Sequence, residues 1–381
     1  MKEILILSAK RTAIGSFNGA LANYTAPQLG AKAIKAAVEA AGVKPEDVSE
    51  VIMGNVVGAG IGQAPARQAM IGAGIPVSVG ATTVNKVCGS GMKAIMMAGQ
   101  SILLGESDIV VAGGMESMSR TPYLLDKARS GGYRLGHGKL IDSVIHDGLW
   151  DPYKDQHMGM CGETCSEQEQ ISREEQDKFA VESYELAQKA VADGAFKDEI
   201  VPVDEFEVDE EPGKARLAKI PKLRPAFKKD GTVTAANASK LNDGACALVL
   251  ASSEKADGRE PLAKLVGWST FSQEPEMFTT APAGAIKKLL EKTGWKVEEV
   301  DLFEINEAFS VVALAVMKLA GIPREKVNVN GGVVALGHPI GASGARIVAT
   351  LVHAMKKRGA KRGIAAICLG GGEAVAVAVQ R

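Results

Sequence analysis

The sequence predicts a layered α/β fold built from two similar halves, with a long polar segment inserted into the first half. Three observations support this prediction. Apolar, strand-like runs alternate with helical patterns, strand ends in both halves run into glycines, and the charge density rises between about residues 120 and 240. Alternating strands and helices are typical of helices packed on sheets. Of the 381 residues, 46% are hydrophobic and 23% are charged, which is ordinary for a globular protein.

The first half carries strand and helix patterns in alternation. Residues 27–42 place apolar side chains at helical spacing and end at Gly42, which is a helix C-cap signal. A long apolar helical pattern at 92–104 follows directly on Cys88-Gly89-Ser90-Gly91. The predicted elements are strands at 4–7, 51–57, 81–87 and 109–112, and helices at 27–42, 67–73 and 92–104.

The segment from about 120 to 240 is predicted to be an insertion that lies outside this core. Glycines at 131, 132 and 136 interrupt any regular pattern there. One amphipathic helix stands out at 173–192, opened by Ser172 with Glu175 three residues later, which is a capping box. The acidic run 204–211 indicates a solvated loop or helix face.

After residue 240 the layered pattern returns and partly repeats the first half. Val84-Asn85 before the first apolar helix is echoed by Val329-Asn330, and strands end on glycines at 113–114 and at 370–372. A duplicated fold would bring these strand ends together, and α/β sheets bind ligands at such crevices. The predicted elements are strands at 245–251, 300–305 and 363–368, and helices at 283–292 and 346–358.

Charge and cysteine usage narrow the class of function. The formal net charge is −1, so no global field attracts nucleic acid or a membrane surface. The first apolar run is too short for a signal peptide, and we expect no stretch near the roughly 18 apolar residues of a membrane span. Five widely spaced cysteines do not suggest a disulfide framework. We therefore expect a cytoplasmic location, with no nucleic-acid or membrane partner.

A metal site is the first chemical alternative. His157, Cys161 and Cys165 would share one face of a helix, because they are four residues apart. Zinc usually takes four ligands, or three and a water, and no fourth ligand follows at a familiar spacing. We expect these two cysteines to be structural thiols and expect no metal.

Cys88 is the first candidate for catalysis. It follows a strand and opens an apolar helix, between glycine-rich residues that let a substrate approach the backbone. The positive end of a helix dipole and its free N–H groups would lower the pKa of such a thiol. Burial as an inert core thiol is the alternative, since free cysteine is often buried.

Three further residues could act with a nucleophilic cysteine. His338 lies in a glycine-rich turn, and a histidine beside a cysteine can hold it as thiolate; a surface loop histidine is the alternative. Cys368 ends a strand before three glycines and could be a base or a core thiol. Asn306 at a strand end could hold a water or an oxyanion, or could cap a helix.

Taken together, these segments resemble the thiolase family over essentially the whole chain, most closely its biosynthetic acetoacetyl-CoA enzymes. Agreement of several motifs in one order is not expected by chance. The matching stretches are Asn85-Lys86-Val87-Cys88-Gly89-Ser90-Gly91, Gly113-Gly114-Met115-Glu116-Ser117-Met118-Ser119, His157-Met158-Gly159, Leu241-Asn242-Asp243-Gly244-Ala245, Asn306-Glu307-Ala308-Phe309, Gly337-His338-Pro339-Ile340-Gly341-Ala342-Ser343-Gly344-Ala345-Arg346 and Cys368-Leu369-Gly370-Gly371-Gly372.

The resemblance implies an acetyl-CoA C-acetyltransferase, which reversibly condenses two acetyl-CoA to acetoacetyl-CoA and coenzyme A. It implies that Cys88 is acylated and activated by His338, and that Cys368 moves the α-proton. It implies one oxyanion hole from His338 and a water on Asn306, and another from the N–H groups of Cys88 and Gly370. Coenzyme A contacts are implied at Leu149, His157, Met158, Phe227, Ala235, Ala238, Ser239, Ala308 and Phe309.

The resemblance also implies an architecture. Two duplicated βαβαβαββ-type halves would form five layers in the order α-β-α-β-α, with a loop domain inserted in the first half. The first half would comprise residues 1–119 and about 241–267, the loop domain 120–240, and the second half 268–381. The implied assembly is a homotetramer, a dimer of dimers joined by residues about 120–145. Coenzyme A thioesters are substrates in this scheme, and we expect no cofactor.

Departures from the family pattern leave acyl-chain preference open. Gly162-Glu163-Thr164 follows the histidine motif where Ala-Glu-Asn is common, and Glu373-Ala374 follows the last glycines where Gln or Met and then Gly are usual. Glu373 could raise the pKa of Cys368 if it faces inward. The alternatives are a 3-ketoacyl-CoA thiolase of broader chain length, a decarboxylating β-ketoacyl synthase, and a non-catalytic acyl-CoA-binding relative. Cys368 argues against the synthase, and the presence of all four reactive residues argues against the non-catalytic relative.

Overall fold

The computed structural model describes residues 2–381, and its regular elements follow the predicted alternation. The strands are β1 (Ile4–Thr12), β2 (Gly15–Ser16), β3 (Glu50–Gly54), β4 (Gly80–Val84), β5 (Ile109–Ser117), β6 (Tyr123–Leu124), β7 (Ile141–Asp142), β8 (Trp150–Asp151), β9 (Gln156–His157), β10 (Ile200–Val201), β11 (Asn242–Ser252), β12 (Ala263–Ser272), β13 (Leu302–Ile305), β14 (Arg362–Leu369) and β15 (Glu373–Gln380). The helices are α1 (Ala26–Ala40), α2 (Pro65–Gly72), α3 (Ser90–Leu104), α4 (Met158–Glu169), α5 (Arg173–Ala192), α6 (Glu210–Lys214), α7 (Ala281–Thr293), α8 (Ser310–Ala320), α9 (Val333–Leu336) and α10 (Ile340–Arg358). Short 3-10 segments lie at Pro45–Asp47, Met118–Arg120, Leu217–Lys222, Ser253–Lys255, Pro275–Met277, Val297–Glu299 and Arg324–Lys326, and a π-helical turn at Val144–Leu149.

Eleven of the strands form one hydrogen-bonded sheet. Its main path runs β13-β14-β15-β12-β1-β11-β5-β3-β4, with β10 paired to β1 and β2 paired to β11. β1 and β12 join the strands of the two halves in antiparallel register, with Ile4 opposite Leu265. β3, β4 and β5 are parallel, as are β13 and β14, so the strands before the Cys88 turn and before Asn306 belong to equivalent parts of the two halves.

The apolar clusters define five layers, as the family resemblance implies. Helices α3 and α10 share one cluster with inward-facing residues from both parts of the sheet. Helices α1 and α2 cover the outer face of the first part, and α7 and α8 cover the outer face of the second part. The order is therefore α-β-α-β-α, and removing these aliphatic side chains from water stabilises the fold.

The two central helices touch at their N-terminal ends. A Cβ added at Gly91 in α3 would lie 2.8 Å from the backbone nitrogen of Ala345 in α10. Only glycine allows that approach. Residues that immediately precede the two helices are thereby brought to the same region, and these include Cys88 and His338.

Several element bounds differ from the predicted ones for identifiable reasons. α10 begins at Ile340 and not at 346, because its small residues pack against α3 and tertiary contact outweighs the low helix propensity of glycine. β5 and β11 extend further than predicted, to Ser117 and from Asn242, because they pair with each other over that length. Helix α5 has the predicted bounds and the predicted capping box at Ser172.

The prediction of a solvated acidic run at 204–211 is wrong at its C-terminal end. Asp209 is buried and accepts hydrogen bonds from Arg11 Nη1 at 2.7 Å and from the Ile14 N–H at 2.8 Å. Glu211 is buried as well. A buried carboxylate is tolerated because a buried cation and an N–H group compensate the lost hydration.

One further expectation needs correction. Val87–Leu104 has the length and mean hydropathy, 1.2, of a membrane span, although 56% of it is buried inside the structure. Much of this stretch is α3, which lies between the two parts of the sheet, and a core helix passes the same test. A helix that buries most of one end and two of its faces in a large core has this composition for packing reasons.

The division into domains remains a prediction. β12 is continuous from Ala263 to Ser272 and so crosses the boundary placed at 267/268. Within the 120–240 segment, Cys161, Cys165 and Phe179 of α4 and α5 pack in the same cluster as α8. The inserted segment thus lies against the outer layer of the second half.

Candidate active site

Cys88 lies in a strained turn between β4 and α3. Val87 has φ of +46°, which is unusual for a β-branched residue and indicates that the surrounding contacts impose this conformation. The Ser90 hydroxyl accepts from the Lys86 N–H at 2.8 Å and donates to the Val87 carbonyl at 2.6 Å. The cysteine side chain is half-buried and points from the N-terminal end of α3.

The pKa of Cys88 differs from the sequence-based expectation. Burial raises the pKa of the thiol to about 12, and the Glu116 carboxylate raises it further, although the N–H groups of Cys88 and Gly370 act in the opposite direction. The predicted lowering by the helix end is therefore outweighed by desolvation. Cys88 is a neutral thiol near neutral pH and needs a base when it attacks a substrate.

His338 is fixed just before α10. Its N–H donates to Asn242 Oδ1 at 2.9 Å. Gly337, the preceding residue, has φ of +106°, and a Cβ there would lie 2.5 Å from the Asn242 side chain. The glycine is required both by its backbone conformation and by the lack of space.

The Ser343 hydroxyl contacts the His338 ring. It lies 2.6 Å from His338 Nδ1 and 2.9 Å from the Pro339 carbonyl. With its single proton assigned to that carbonyl, Nδ1 carries a proton and donates it to Ser343 Oγ, and Nε2 is left with a free lone pair. Nε2 is buried and has no hydrogen-bond partner among the described residues. Burial, assisted by Arg346, lowers the pKa of His338 to about 3.

Asn306 directly follows β13, and Cys368 lies on the adjacent parallel strand β14. The Asn306 N–H donates to the Ala366 carbonyl at 3.0 Å, two residues before Cys368 along β14. Both atoms of the Asn306 amide group are buried without a partner among residues 2–381. Asn306 therefore does not act as a helix cap, and its amide is available to a ligand or a water.

Cys368 is fully buried and close to Cys88. Burial raises the pKa of Cys368 well above its usual value, and the neighbouring Cys88 raises it further. Gly370, two residues later, lies beside the Cys88 turn, because a Cβ there would be 3.7 Å from both Val87 Cγ1 and Met158 Cε, and its N–H acts to lower the pKa of Cys88. The structure thus gathers both cysteines, the Gly370 N–H, His338 and Asn306 around the strand and helix ends.

Most of the residues expected to contact coenzyme A form one wall, which belongs to the same apolar cluster as Cys368. The His157 ring stacks on Phe227 with centroids 4.6 Å apart, and Phe227 meets Phe309 edge-on at 6.2 Å. Met158, Phe227, Ala238, Ala308 and Phe309 belong to the cluster that contains Cys368. The Ser239 N–H donates to the Ala308 carbonyl at 2.9 Å, and Leu149 packs in the small cluster that contacts Cys88. Ala235 is exposed on a turn nearby.

Sequence reasoning assigned no role to Glu116, which links the two halves. Its buried carboxylate accepts from the Val56 and Val57 N–H groups at 3.0 and 3.2 Å, and from the Gly341 N–H at 2.9 Å. Burial raises the pKa of Glu116 to about 7 despite these donors. The sequence carries one signal for Glu116: it is a lone carboxylate within the apolar residues that form β5.

Glu307 was also missed and fixes the segment beside Asn306. It accepts hydrogen bonds from Asn328 Nδ2 at 2.7 Å, Ser183 Oγ at 2.9 Å and the Val334 N–H at 3.1 Å. Glu373, by contrast, bonds to Lys86 and Ser272 and does not contribute to the raised pKa of Cys368.

Over residues 2–381 no group of three or more His, Cys, Asp or Glu side chains is arranged to hold a metal ion. Cys161 and Cys165 are buried in α4, where they pack against α8, and His157 caps that helix by accepting from the Gly159 N–H at 3.0 Å. The helical alignment of these three residues therefore serves packing and capping.

Comparison with known proteins agrees with this fold. Residues 4–254 match the N-terminal domain model of thiolases, and residues 259–381 match the C-terminal domain model. An acetyl-CoA acetyltransferase from Chromobacterium violaceum is 53% identical over 100% of both chains. A cytosolic acetyl-CoA acetyltransferase from Gibberella zeae is 51% identical over 100% of this chain and 98% of its own. The crystal structure of a thiolase from Ascaris suum in complex with coenzyme A superposes with a TM-score of 0.96 at 46% identity, covering 100% of both chains.

The chain belongs to the thiolase family. The predicted family and fold are thereby confirmed, and the enzyme class they define is an acyltransferase.

Proposed function

We propose that this protein is an acetyl-CoA C-acetyltransferase that reversibly condenses two acetyl-CoA to acetoacetyl-CoA and coenzyme A. One observation carries the assignment of roles: two backbone N–H groups, of Cys88 and Gly370, face the Cys88 sulfur, and a second thiol, Cys368, lies beside it. The relatives named acetyl-CoA acetyltransferase at 53% and 51% identity support the reaction.

In the first step Cys88 attacks the thioester carbonyl of acetyl-CoA. Its proton passes to His338 Nε2, which has a free lone pair, while a bond forms between the sulfur and the carbonyl carbon. The tetrahedral intermediate collapses by breaking the bond to the coenzyme A sulfur, which takes the proton from His338. The products are acetyl-Cys88 and free coenzyme A, and both catalytic groups return to neutral forms.

The N–H groups of Cys88 and Gly370 would stabilise the oxyanion of this step. They point to the sulfur that carries the acyl group, so the carbonyl oxygen of acetyl-Cys88 can accept from both. Preorganised donors in a site shielded from water stabilise developing charge without reorganising during the reaction.

In the second step Cys368 would pass its own proton to His338 Nε2 and, as the thiolate, remove an α-proton from a second acetyl-CoA. The resulting enolate oxygen would be stabilised by the N–H that His338 Nε2 now carries and by a water held on Asn306, whose buried amide has no partner among the described residues. The enolate carbon attacks the acetyl carbonyl and the bond to Cys88 breaks, which releases acetoacetyl-CoA. The Cys88 thiolate takes the proton from His338 and Cys368 keeps the α-proton, so all three groups return to their neutral forms.

The wall around His157, Met158, Phe227 and Phe309 is proposed to bind coenzyme A, with Leu149, Ala235, Ala238, Ser239 and Ala308. The stacked rings and small side chains suit a thin, partly apolar ligand arm. The complex of the thiolase from Ascaris suum with coenzyme A supports the choice of ligand. The thioesters are substrates, and the reaction as written needs no further cofactor.

Acyl-chain preference separates this proposal from that of a 3-ketoacyl-CoA thiolase of broader chain length. We expect coenzyme A-dependent cleavage of acetoacetyl-CoA, and a kcat/KM for 3-ketohexanoyl-CoA lower by about tenfold or more, because one misfit methylene typically costs about 10–200-fold. Ultraviolet absorbance of the 3-ketoacyl thioester follows the reaction, with Cys88→Ser as the matched control. Equal kcat/KM for both substrates would favour the broader thiolase, and no cleavage of either would contradict the proposal.

We also propose a homotetrameric, cytoplasmic enzyme. β4 is an edge strand with partly exposed side chains, which could pair with a second copy. Leu125, Leu135 and Leu140 are exposed on the 120–145 segment, which would join two dimers. The cytosolic relative from Gibberella zeae supports the location. Light scattering on a sizing column should give four times the chain mass of 39.8 kDa, and a monomer would contradict the assembly.

A further inference from the structure

The two N–H groups that face the Cys88 sulfur come from different halves of the fold. Cys88 lies in the turn between β4 and α3, whereas Gly370 lies in the turn between β14 and β15. Their separation determines whether one carbonyl oxygen can accept from both. Small errors in such spacing are costly, because oxyanion donors act over a narrow range of distance.

One ion pair connects these two turns directly. The ammonium group of Lys86, two residues before Cys88, bonds to the carboxylate of Glu373, three residues after Gly370. Ser272 Oγ donates to the same carboxylate at 3.0 Å. The side chains are 24% and 29% exposed, so water screens the pair only partly. Although desolvation acts to raise it, the pKa of Glu373 is lowered, chiefly by the hydrogen bond from Lys86.

Each partner is rigidly coupled to its own N–H group. The Lys86 N–H donates to Ser90 Oγ at 2.8 Å, and the Lys86 carbonyl accepts from the Gly89 N–H at 3.1 Å. On the other side, Glu373 pairs with Leu369 in the β14–β15 ladder. A change in the distance between Lys86 and Glu373 would therefore shift the Cys88 turn relative to the Gly370 turn.

We propose that Lys86 and Glu373 are positioning residues, whose ion pair sets the spacing of the Cys88 and Gly370 N–H groups that stabilise the acyl-transfer oxyanion. This inference rests on the proposed function and adds a specific device to it. The competing interpretation is that the Lys86 ammonium group binds the phosphates of the substrate. The Glu373 carboxylate would then weaken substrate binding. The two interpretations differ in the kinetic constant that they affect.

The test uses the full-length protein and four variants: Lys86→Met, Glu373→Gln, the double variant of both, and the charge-exchanged Lys86→Glu/Glu373→Lys. The measurement is the single-turnover rate of coenzyme A release from acetyl-CoA, together with KM for acetyl-CoA. Loss of one complete donor costs 10²–10³ in rate, so a displaced donor should slow acetylation by about tenfold in each single variant. Glu3→Gln is the matched control, because it removes the exposed Lys264–Glu3 pair.

The positioning role predicts that the neutral double variant is no slower than either single variant, since both remove the same interaction. It also predicts that charge exchange restores most of the rate, with KM unchanged in all variants. A variant that is unfolded at the assay temperature is replaced by Lys86→Arg or Glu373→Asp, for which a smaller loss in the same step is expected.

Three results would overturn the proposal. Wild-type acetylation rates in the single variants would show that the pair positions nothing, and additive losses without rescue would show that the residues act separately. A higher KM in Lys86→Met with a lower KM in Glu373→Gln, at unchanged rate, would assign Lys86 to phosphate binding. If the wild-type protein itself released no coenzyme A, the proposed function would fail, and this inference with it.

Discussion

Cys88 and Cys368 are the same residue type, come from different halves of the fold and lie close together, yet their surroundings differ. Cys88 is half-buried at the head of a helix, and two N–H groups face its sulfur. Cys368 is fully buried within a strand, and its neighbour Cys88 makes ionisation harder still. The first environment favours a sulfur that carries an acyl group beside an oxyanion hole. The second favours a thiol that exchanges one proton.

The pKa values of the two cysteines and of His338 also bear on the roles of these groups. Burial raises the pKa of both thiols, so neither is a thiolate at rest. His338 is neutral as well, because burial lowers its pKa to about 3. The resting site is uncharged at these three groups, and each proton moves as bonds form, which suits a thioester substrate in a desolvated site.

Among the variants that test these roles, His338→Ala is expected to have the largest effect on the acetylation rate. Acetylation of Cys88 should slow by about 10³-fold, because a positioned general base contributes 10²–10⁴. Stopped-flow measurement of coenzyme A release gives the rate. His353→Gln is the matched control, since His353 is also buried on α10 but bonds to the Ala9 carbonyl at 2.9 Å. Acetylation at the wild-type rate in His338→Ala would show that Cys88 finds its base elsewhere.

A smaller effect is expected from Ser343→Ala. Without the hydroxyl, Nδ1 loses its partner, and the tautomer with a free Nε2 is less favoured. Acetylation should slow by about tenfold, as for other groups that orient a histidine, and Ser343→Thr should restore most of the rate. Ser269→Ala removes a buried hydroxyl that bonds to the Ala285 carbonyl at 2.7 Å and should leave the rate unchanged. If threonine failed to restore the rate, Ser343 would act through packing alone.

The smallest effect concerns pH. A histidine whose pKa is lowered keeps its base form above that value, so His338 stays competent as pH falls through the ordinary histidine range. Because burial raises the pKa of Cys88, its thiol form persists over the same range. The single-turnover acetylation rate should therefore vary less than about twofold between roughly pH 5.5 and 8. A fall centred near pH 6.5 would contradict this prediction and show that His338 titrates as an ordinary histidine.

The layered fold and the candidate residues could be predicted because local patterns encode them. The alternation of strands and helices predicted the core elements, and a capping box predicted the bounds of α5. Cys88 and His338 were found from their glycine-rich turns, since such turns bring the backbone close to a ligand. Their roles, however, came from resemblance to the family.

Long-range contacts explain what the sequence could not predict. Glu116 and Asp209 are carboxylates whose burial depends on donors far along the chain, at Gly341 and Arg11. The rise in the pKa of Cys88 likewise depends on enclosure by the second half, which local helix-end electrostatics do not reveal. Lys86, the cationic partner of Glu373, is 287 residues away from it in the sequence, so no local pattern indicates the pair.

The most direct test of the account is to locate the acetyl group after mixing with acetyl-CoA. Intact-mass and peptide spectrometry after acid quenching would compare the wild-type protein, Cys88→Ser and Cys368→Ser. The account predicts one acetyl group on Cys88 in the wild type and in Cys368→Ser, which should make no acetoacetyl-CoA, and none in Cys88→Ser. An acetyl group on Cys368, or equal loss of acetylation in both variants, would contradict the division of roles between the two cysteines.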